Sequence, residues 1–209
     1  MILDIHTHKV APQPEAVIAM TPKAFEPLEG QLYSVGIHPW DTGTDINTVE
    51  WESLEEILQE PQVVAVGECG IDILKGGPLF RQMQIFKRQV ELSEKYCKPM
   101  VIHDVKAHDI IIGIKKELKP GQTWVVHGFR GKPTVAKMLT DAGIYISFGE
   151  KFNPETVKSM PPDMMLAETD ESTLTIEEII QRISEAAGRE VRERIIHNSQ
   201  FIMRIHNGV

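Results

Sequence analysis

Asp4-Ile5-His6-Thr7-His8 opens the chain, and its reading decides the fold. Ile2 to His8 has the character of a short strand. Successive strand side chains point to opposite faces, so His6 and His8 share a face with Asp4. Two imidazoles at one strand end are a ready pair of metal ligands, better suited to Zn, Mn, Fe, Co or Ni than to Mg or Ca. A lone His-x-His proves little, because surface histidines are common. Its weight depends on whether other strand ends supply partners.

Working outward, apolar strands alternate with amphipathic helices. Strands are expected at Ile2 to Ile5, Ala16 to Met20, Leu32 to Ile37, Val63 to Gly67, Pro99 to Ile102, Thr123 to Val126, Ile144 to Phe148 and Met164 to Ala167. Between them, Asn47 or Thr48 is placed to cap a helix running to about Glu60, with Leu54, Ile57 and Leu58 inside. Pro78 opens a helix whose stripe is Phe80, Met83, Phe86, Val90 and Cys97. Another helix ends near Leu118. One opens at Pro133 and is closed by Gly143. Thr175-x-x-Glu178 reads as a capping box, Gly188 as that helix's stop, and Val191 to Ile205 as a last helix. Strand–helix alternation means parallel β/α units. Eight strands point to a distorted TIM (β/α)8 barrel, in which residues 9–31 leave no room for full helices after the first two strands. A doubly wound open sheet is the alternative, and it would spread the strand ends along a line.

The 209 residues suit one core, so residues 1–209 are read as a single barrel domain. No apolar run is long enough for a membrane span, and Asp4 and His6 would interrupt a signal sequence. Cys69 and Cys97 fit a reducing compartment. A cytoplasmic protein without membrane attachment is expected. The net charge of −8 argues against coating duplex nucleic acid through a broad basic face. It leaves open an enzyme that takes a nucleic-acid end into a cation-bearing pocket.

The strand ends do supply partners. His6 and His8 follow strand one, Glu68 strand four, His103 strand five, His127 strand six and Asp170 strand eight. Barrel active sites are built at that face. Solvent-facing strand ends would account for a carboxylate or two, not for His or carboxylate at five ends. Four imidazoles and two carboxylates suffice for two divalent ions (Zn, Mn, Mg or Co) with one carboxylate bridging. Such a pair can clamp attacking and leaving oxygens and acidify a water.

These residues carry a resemblance. The chain resembles the TatD family of metal-dependent hydrolases through Asp4-Ile5-His6-Thr7-His8, Val35-Gly36-Ile37-His38-Pro39 and Gly67-Glu68-Cys69-Gly70-Ile71-Asp72. It does so again through Lys98-Pro99-Met100-Val101-Ile102-His103, His127-Gly128-Phe129-Arg130-Gly131 and Glu168-Thr169-Asp170. The motifs run in family order over about residues 1–172, and Asn198 to Arg204 resembles the family's closing helix. The resemblance implies one metal on His6, His8 and Asp170, another on His103 and His127, and Glu68 bridging. It implies that Asp170 orients or deprotonates the attacking water. It also implies a deoxyribonuclease of 3′→5′ exonuclease type, acting on DNA or another phosphodiester. Catalysis would then fall to Asp170 and Glu68.

Three departures concern substrate rather than metal. Many members carry Arg two residues after the strand-five His, where this chain has Val105 with Lys106 beside it. The usual His-Cys-Phe-Ser-Gly is His127-Gly128-Phe129-Arg130-Gly131. Glu171-Ser172-Thr173 follows the Glu-Thr-Asp motif. Phosphate recognition is therefore expected at Arg130, whose guanidinium pairs well with phosphate oxygens. His38 is a candidate substrate contact or a turn histidine. Asp4 is a candidate to orient a ligand histidine. Asp72 is read as a structural residue in a loop after Glu68, and Cys69 as packing rather than as a soft ligand. Glu168 shares strand parity with Asp170, which leaves an inward course open beside the slightly favoured loop-stabilising role. His108, His197 and His206 are read as solvated or capping residues of helices.

Competing readings are an amide, lactone or small phosphoester hydrolase in the same barrel, and a non-catalytic binding protein. Relatives that cleave amides often bridge their metals with a modified Lys where this chain has Glu68. A binding protein should have lost ligands. A histidinol-phosphatase-like enzyme shares His-x-His, but its later motifs fit less well. A monomer is expected, although the sequence does not fix oligomeric state.

Overall fold

A computed structural model of the chain describes residues 4–9, 15–43 and 50–203. Eight strands close into an all-parallel barrel in simple chain order. They are β1 (Asp4–Thr7), β2 (Ala16–Met20), β3 (Leu32–Val35), β4 (Val63–Asp72), β5 (Met100–Val105), β6 (Trp124–Val126), β7 (Ile144–Phe148) and β8 (Met165–Ala167). The helices are α1 (Trp51–Ile57), α2 (Leu79–Lys95), α3 (His108–Leu118), α4 (Pro133–Asp141), α5 (Pro154–Ser159), α6 (Ile176–Ala187) and α7 (Arg192–Ile202). Closure of the ring excludes the open sheet, because β1 pairs with β8 through Asp4 and Ala167.

Between β2 and β3 the chain makes only a single 3₁₀ turn, Pro22–Ala24, as the punctuation by Pro22, Pro27 and Gly30 implies. The capping residues expected for α1, Asn47 and Thr48, lie outside the described residues, as do Ile2, Ile205 and His206. The Thr175 capping box is formed in both directions, and Gly188 ends α6 at φ +66°. Helix α5 escapes the apolar pattern. It is six residues long, opened by Pro154 and capped by the Asn153 side chain. Phe80 and Cys97, expected on the inner stripe of α2, are exposed, Phe80 in its first turn and Cys97 two residues beyond its end; Phe201, in the last turn of α7, is exposed as well.

Two apolar layers follow from strand alternation. Ile5, Val17, Ala65, Val101, Val125 and Leu166 pack inside the barrel, against Ile202 and Met203. The alternate positions, among them Ile18, Val66, Ile102, Val126 and Ile146, pack outward against the helices. Each such side chain contributes roughly 1.5–3 kcal/mol by leaving water, so the parity of every strand is strongly specified. Val101 then places His103 inward, Val125 does so for His127, and Leu166 for Glu168.

Two strands break that alternation, and both breaks serve the inner face. In β4, Val66 pairs with Met100 and Cys69 with Ile102, so one extra residue is inserted. Val66 and Cys69 both face the helices, and Glu68 is turned inward. In β1, Asp4 pairs with Ala16 and Thr7 with Ile18, again with one extra residue. Bulges of this kind re-aim side chains beside functional sites. Just beyond the β4 bulge, Gly70 has φ +141°, and a Cβ there would collide with the His103 carbonyl. Glycine therefore lets β4 approach β5 closely enough for Glu68 and Asp72 to meet His103.

Candidate metal centre

Glu68 is the hub. It is nearly buried, and its two oxygens meet different partners. Oε1 lies 2.7 Å from His103 Nδ1, 2.8 Å from His127 Nε2 and 2.9 Å from His38 Nε2. Oε2 lies 3.4 Å from His6 Nε2 and 3.3 Å from His8 Nε2. Asp170 Oδ1 closes that side at 3.9 Å from His6 and 3.6 Å from His8. All six side chains expected from the strand ends are thus gathered, with His38 as a seventh.

The donor set fits a divalent cation. His6 is fully buried, yet neither ring nitrogen has a hydrogen-bond partner. Leaving a buried polar atom unmatched costs about 1–3 kcal/mol, and natural structures rarely tolerate it without reason. Donors around a tetrahedral ion at about 2.0–2.1 Å stand about 3.4 Å apart, which is the spacing of His6 Nε2 and of His8 Nε2 from Glu68 Oε2. His6, His8 and Glu68 form one ion-sized group, His38, Glu68 and His103 a second, and His127, Glu168 and Asp170 a third. Mixed imidazole and carboxylate donors suit borderline transition ions.

Burial works against the Glu68 charge. The His127 cation, with hydrogen bonds from His103, His127 and His38, outweighs it and holds the carboxyl well below its usual range. Burial likewise works against a charged His127, but Glu68 and Glu168 flank the ring and hold it well above the ordinary imidazole range. Burial alone lowers the affinity of His6 for a proton, and the nearby His127 adds to this.

Around the hub lies a layer that alternation alone undervalues. Glu168 takes the inward of the two courses open to it. It is fully buried, accepts from Gly128 N at 2.6 Å, and stands 3.3 Å from His127 Nδ1. Asp72, read from sequence as a loop residue, ends β4, with Oδ2 3.2 Å from His103 Nε2. Its parity with Glu68, four residues on, was the available signal. Asp4 does not touch the His6 ring. It accepts from His6 N at 3.3 Å and from Thr169 N and Oγ1 at 3.0 and 2.7 Å, so it fixes the backbone just before Asp170. Asp170 itself sits at φ +51°, and burial pushes the Asp4 carboxyl up to about 7. Cys69 is buried in the helix-facing layer with Sγ toward Val101 O, which agrees with packing.

A cavity of about 950 Å³ opens over this cluster, reached by His8, Glu68, His103 and Asp170. Arg130 is exposed at its rim and also borders a smaller recess of about 180 Å³. Lys106, at φ +56°, is a second cation on the cavity wall. His108 is half-buried at the start of α3, and His197 is exposed on α7. Among the described residues no helix is long and apolar enough to cross a membrane.

The family described as TatD related DNase matches residues 16–200. The chain is 30% identical over 151 residues to YabD of Bacillus subtilis, described as an uncharacterized metal-dependent hydrolase. That match covers 68% of this chain and 59% of that protein. It is 29% identical over 150 residues to the 3′-5′ ssDNA/RNA exonuclease TatD of Klebsiella pneumoniae, covering 66% and 56%. The chain therefore spans less than three fifths of the length of these curated relatives. The crystal structure of YJJV, a TatD homolog from Escherichia coli, superposes with a TM-score of 0.82 at 20% identity, over 99% of this chain and 98% of that one. At that identity the likeness speaks for the barrel alone.

Proposed function

The chain belongs to the TatD related DNase family, and on that footing we propose that it is a divalent-metal-dependent phosphodiesterase. The reading extends to a deoxyribonuclease of 3′→5′ type acting on nucleic-acid ends. One observation carries it: five histidines, from the ends of β1, β3, β5 and β6, meet on the two oxygens of the buried Glu68 carboxylate, and Asp170 closes the group beside His6 and His8. In this reading His6, His8 and Asp170 would hold one ion and His103 and His127 a second, with Glu68 shared between the two groups. Residues 1–209 act as one barrel domain in the cytoplasm.

When bound, the ions would supply Lewis-acid stabilisation of the phosphoryl oxygens and acidify a water. Asp170 is the most exposed of the carboxylates on the hub, so it orients the attacking water and takes its proton. Glu168 and Asp72 hold the His127 and His103 rings at their far nitrogens, which fixes ring orientation and raises basicity. Arg130 meets the phosphate from the rim. A bulged Glu68 in place of a bridging Lys supports the phosphodiester reading over the amide one.

Metal-free protein should be loaded separately with Mg, Mn, Zn and Co, then assayed on single-stranded DNA, RNA and simple mono- and diesters. Diester cleavage that vanishes in Asp170→Asn is the expected result. Cleavage of only an amide or lactone would overturn the reading.

A further inference from the structure

One residue of the His38-Pro39-Trp40 turn does not serve the hub. Trp40 is 45% exposed, although it borders the cavity. Its ring is nonetheless fixed. The indole N–H donates to Asp72 Oδ2 at 2.7 Å, the same oxygen that stands 3.2 Å from His103 Nε2. The ring meets His38 edge to face with centroids 4.7 Å apart, and His103 at 5.9 Å. Lys75 lies over the ring with Nζ 3.1 Å from its centroid.

The loop that brings Lys75 there is held equally firmly. Asp72 Oδ1 accepts from Leu74 N and Lys75 N. Gln82, buried on α2, donates to the carbonyls of Asp72, Lys75 and Gly77. Gly76, at φ +98°, lets the loop lie against the Pro39 carbonyl. An aromatic ring that is locked, half open to water and one residue's width from the reacting centre is a recognition surface. Packing alone would have buried it.

We propose that Trp40, with Lys75, forms a nucleobase-stacking subsite beside the Glu68 centre. It takes the base next to the scissile phosphate while the Lys75 ammonium meets the adjoining phosphate. Every base offers a π-face, so the subsite grips single-stranded nucleic acid with little sequence preference. The Lys75 ammonium covers that face in the free protein; Lys75 is exposed on its loop, so it yields the face to the base and turns to the adjoining phosphate. Exposed Ile73 and Leu74 could instead mark a protein-docking edge. The ring's attachments run inward to His38 and His103, however, and it opens on the cavity. The proposal deepens the phosphodiesterase reading and rests on it for the reaction served.

The test is calorimetric titration of Zn-loaded protein with deoxyadenosine 5′-monophosphate and with 2-deoxyribose 5-phosphate, which lacks only the base. The nucleotide should bind about five- to a hundredfold more tightly, the range of one base stacked on one aromatic ring. Trp40→Leu should bring that ratio close to one, and Trp40→Phe should keep much of it. An equal affinity in the unaltered protein, a ratio that survives Trp40→Leu, or no binding of either ligand overturns the proposal. Should Trp40→Leu not fold, tryptophan fluorescence decides. Quenching by the nucleotide alone, absent in Trp40→Phe, supports the subsite, and equal or absent quenching refutes it. Hydrolysis of single-stranded oligonucleotides in parallel separates the two claims. Cleavage together with equal affinity for the nucleotide and the sugar phosphate sinks the subsite only. Tighter binding of the nucleotide than of the sugar phosphate without cleavage of any diester sustains the subsite and sinks the hydrolase reading.

Discussion

Glu68 joins two half-sites built on different plans. On the Oε2 side, His6 and His8 stand at 3.4 and 3.3 Å, with Asp170 closing the group, and no hydrogen bond satisfies the His6 ring. On the Oε1 side, His103, His127 and His38 crowd in to 2.7, 2.8 and 2.9 Å, all hydrogen-bond distances. The first half already has the spacing of a coordination shell. In the proposed reading the second must open before a cation can enter, and His127, which its flanking carboxylates hold protonated, must give up its proton, because imidazole binds metal only when neutral. The lesson is that two ions on one bridging carboxylate need not be equivalent. In the proposed reading, the Oε2 side takes the first and tighter ion.

The largest effect should come from removing the common member. Glu68→Gln is expected to lower diester hydrolysis by ~10³-fold or more, because it weakens both halves together. Steady-state rates beside a circular dichroism check of folding would show this. Loss of only one half's binding would break the idea of a shared bridge.

The two sides can then be set against each other. His8→Ala should weaken the first Zn equivalent by ~100-fold in competition with a chelator, whereas His38→Ala should change it only a few-fold. Equal losses would make the halves equivalent. One step further out, Glu168→Gln should cost about 10- to 100-fold in affinity for the second ion, the usual effect of losing a carboxylate behind a ligand histidine. It should leave the first ion nearly untouched. The smallest effect belongs to the rim. Arg130→Ala should lower kcat/KM on a phosphodiester by ~10-fold without altering metal stoichiometry. An unchanged kcat/KM would leave phosphate recognition to another cation, with Lys106 the nearest alternative on the cavity wall.

The barrel was legible because its strands are short, apolar and separated by helices with clear stripes and caps. The positions of β2 and β7 agree with the structure residue for residue. Glu68 and the five expected side chains that gather around its carboxylate were legible because each follows an apolar run. What alternation could not supply was direction. Counted from Ala65, strict alternation turns Glu68 outward, and counted from Ile5 it turns His6 outward. Only the inserted residues in β4 and β1 reverse both, and an insertion is a property of pairing between strands rather than of one strand's pattern. For the same reason the length of β4 was hidden, whereas the parity of Asp72 with Glu68 was there to be read. Glu168 was undervalued because its partners, Gly128 and His127, lie about 40 residues away. Helix α5 was missed because six residues are too few to show a period.

The most direct measurement is anomalous diffraction from crystals of the protein at one and at saturating equivalents of Zn. The proposed reading expects a first peak within bonding distance of His6, His8, Asp170 and Glu68 Oε2. A second peak should follow on the Oε1 side, with His103 and His127 drawn apart from that oxygen. A first peak among His38, His103 and His127, or none at Glu68 at any loading, would contradict it.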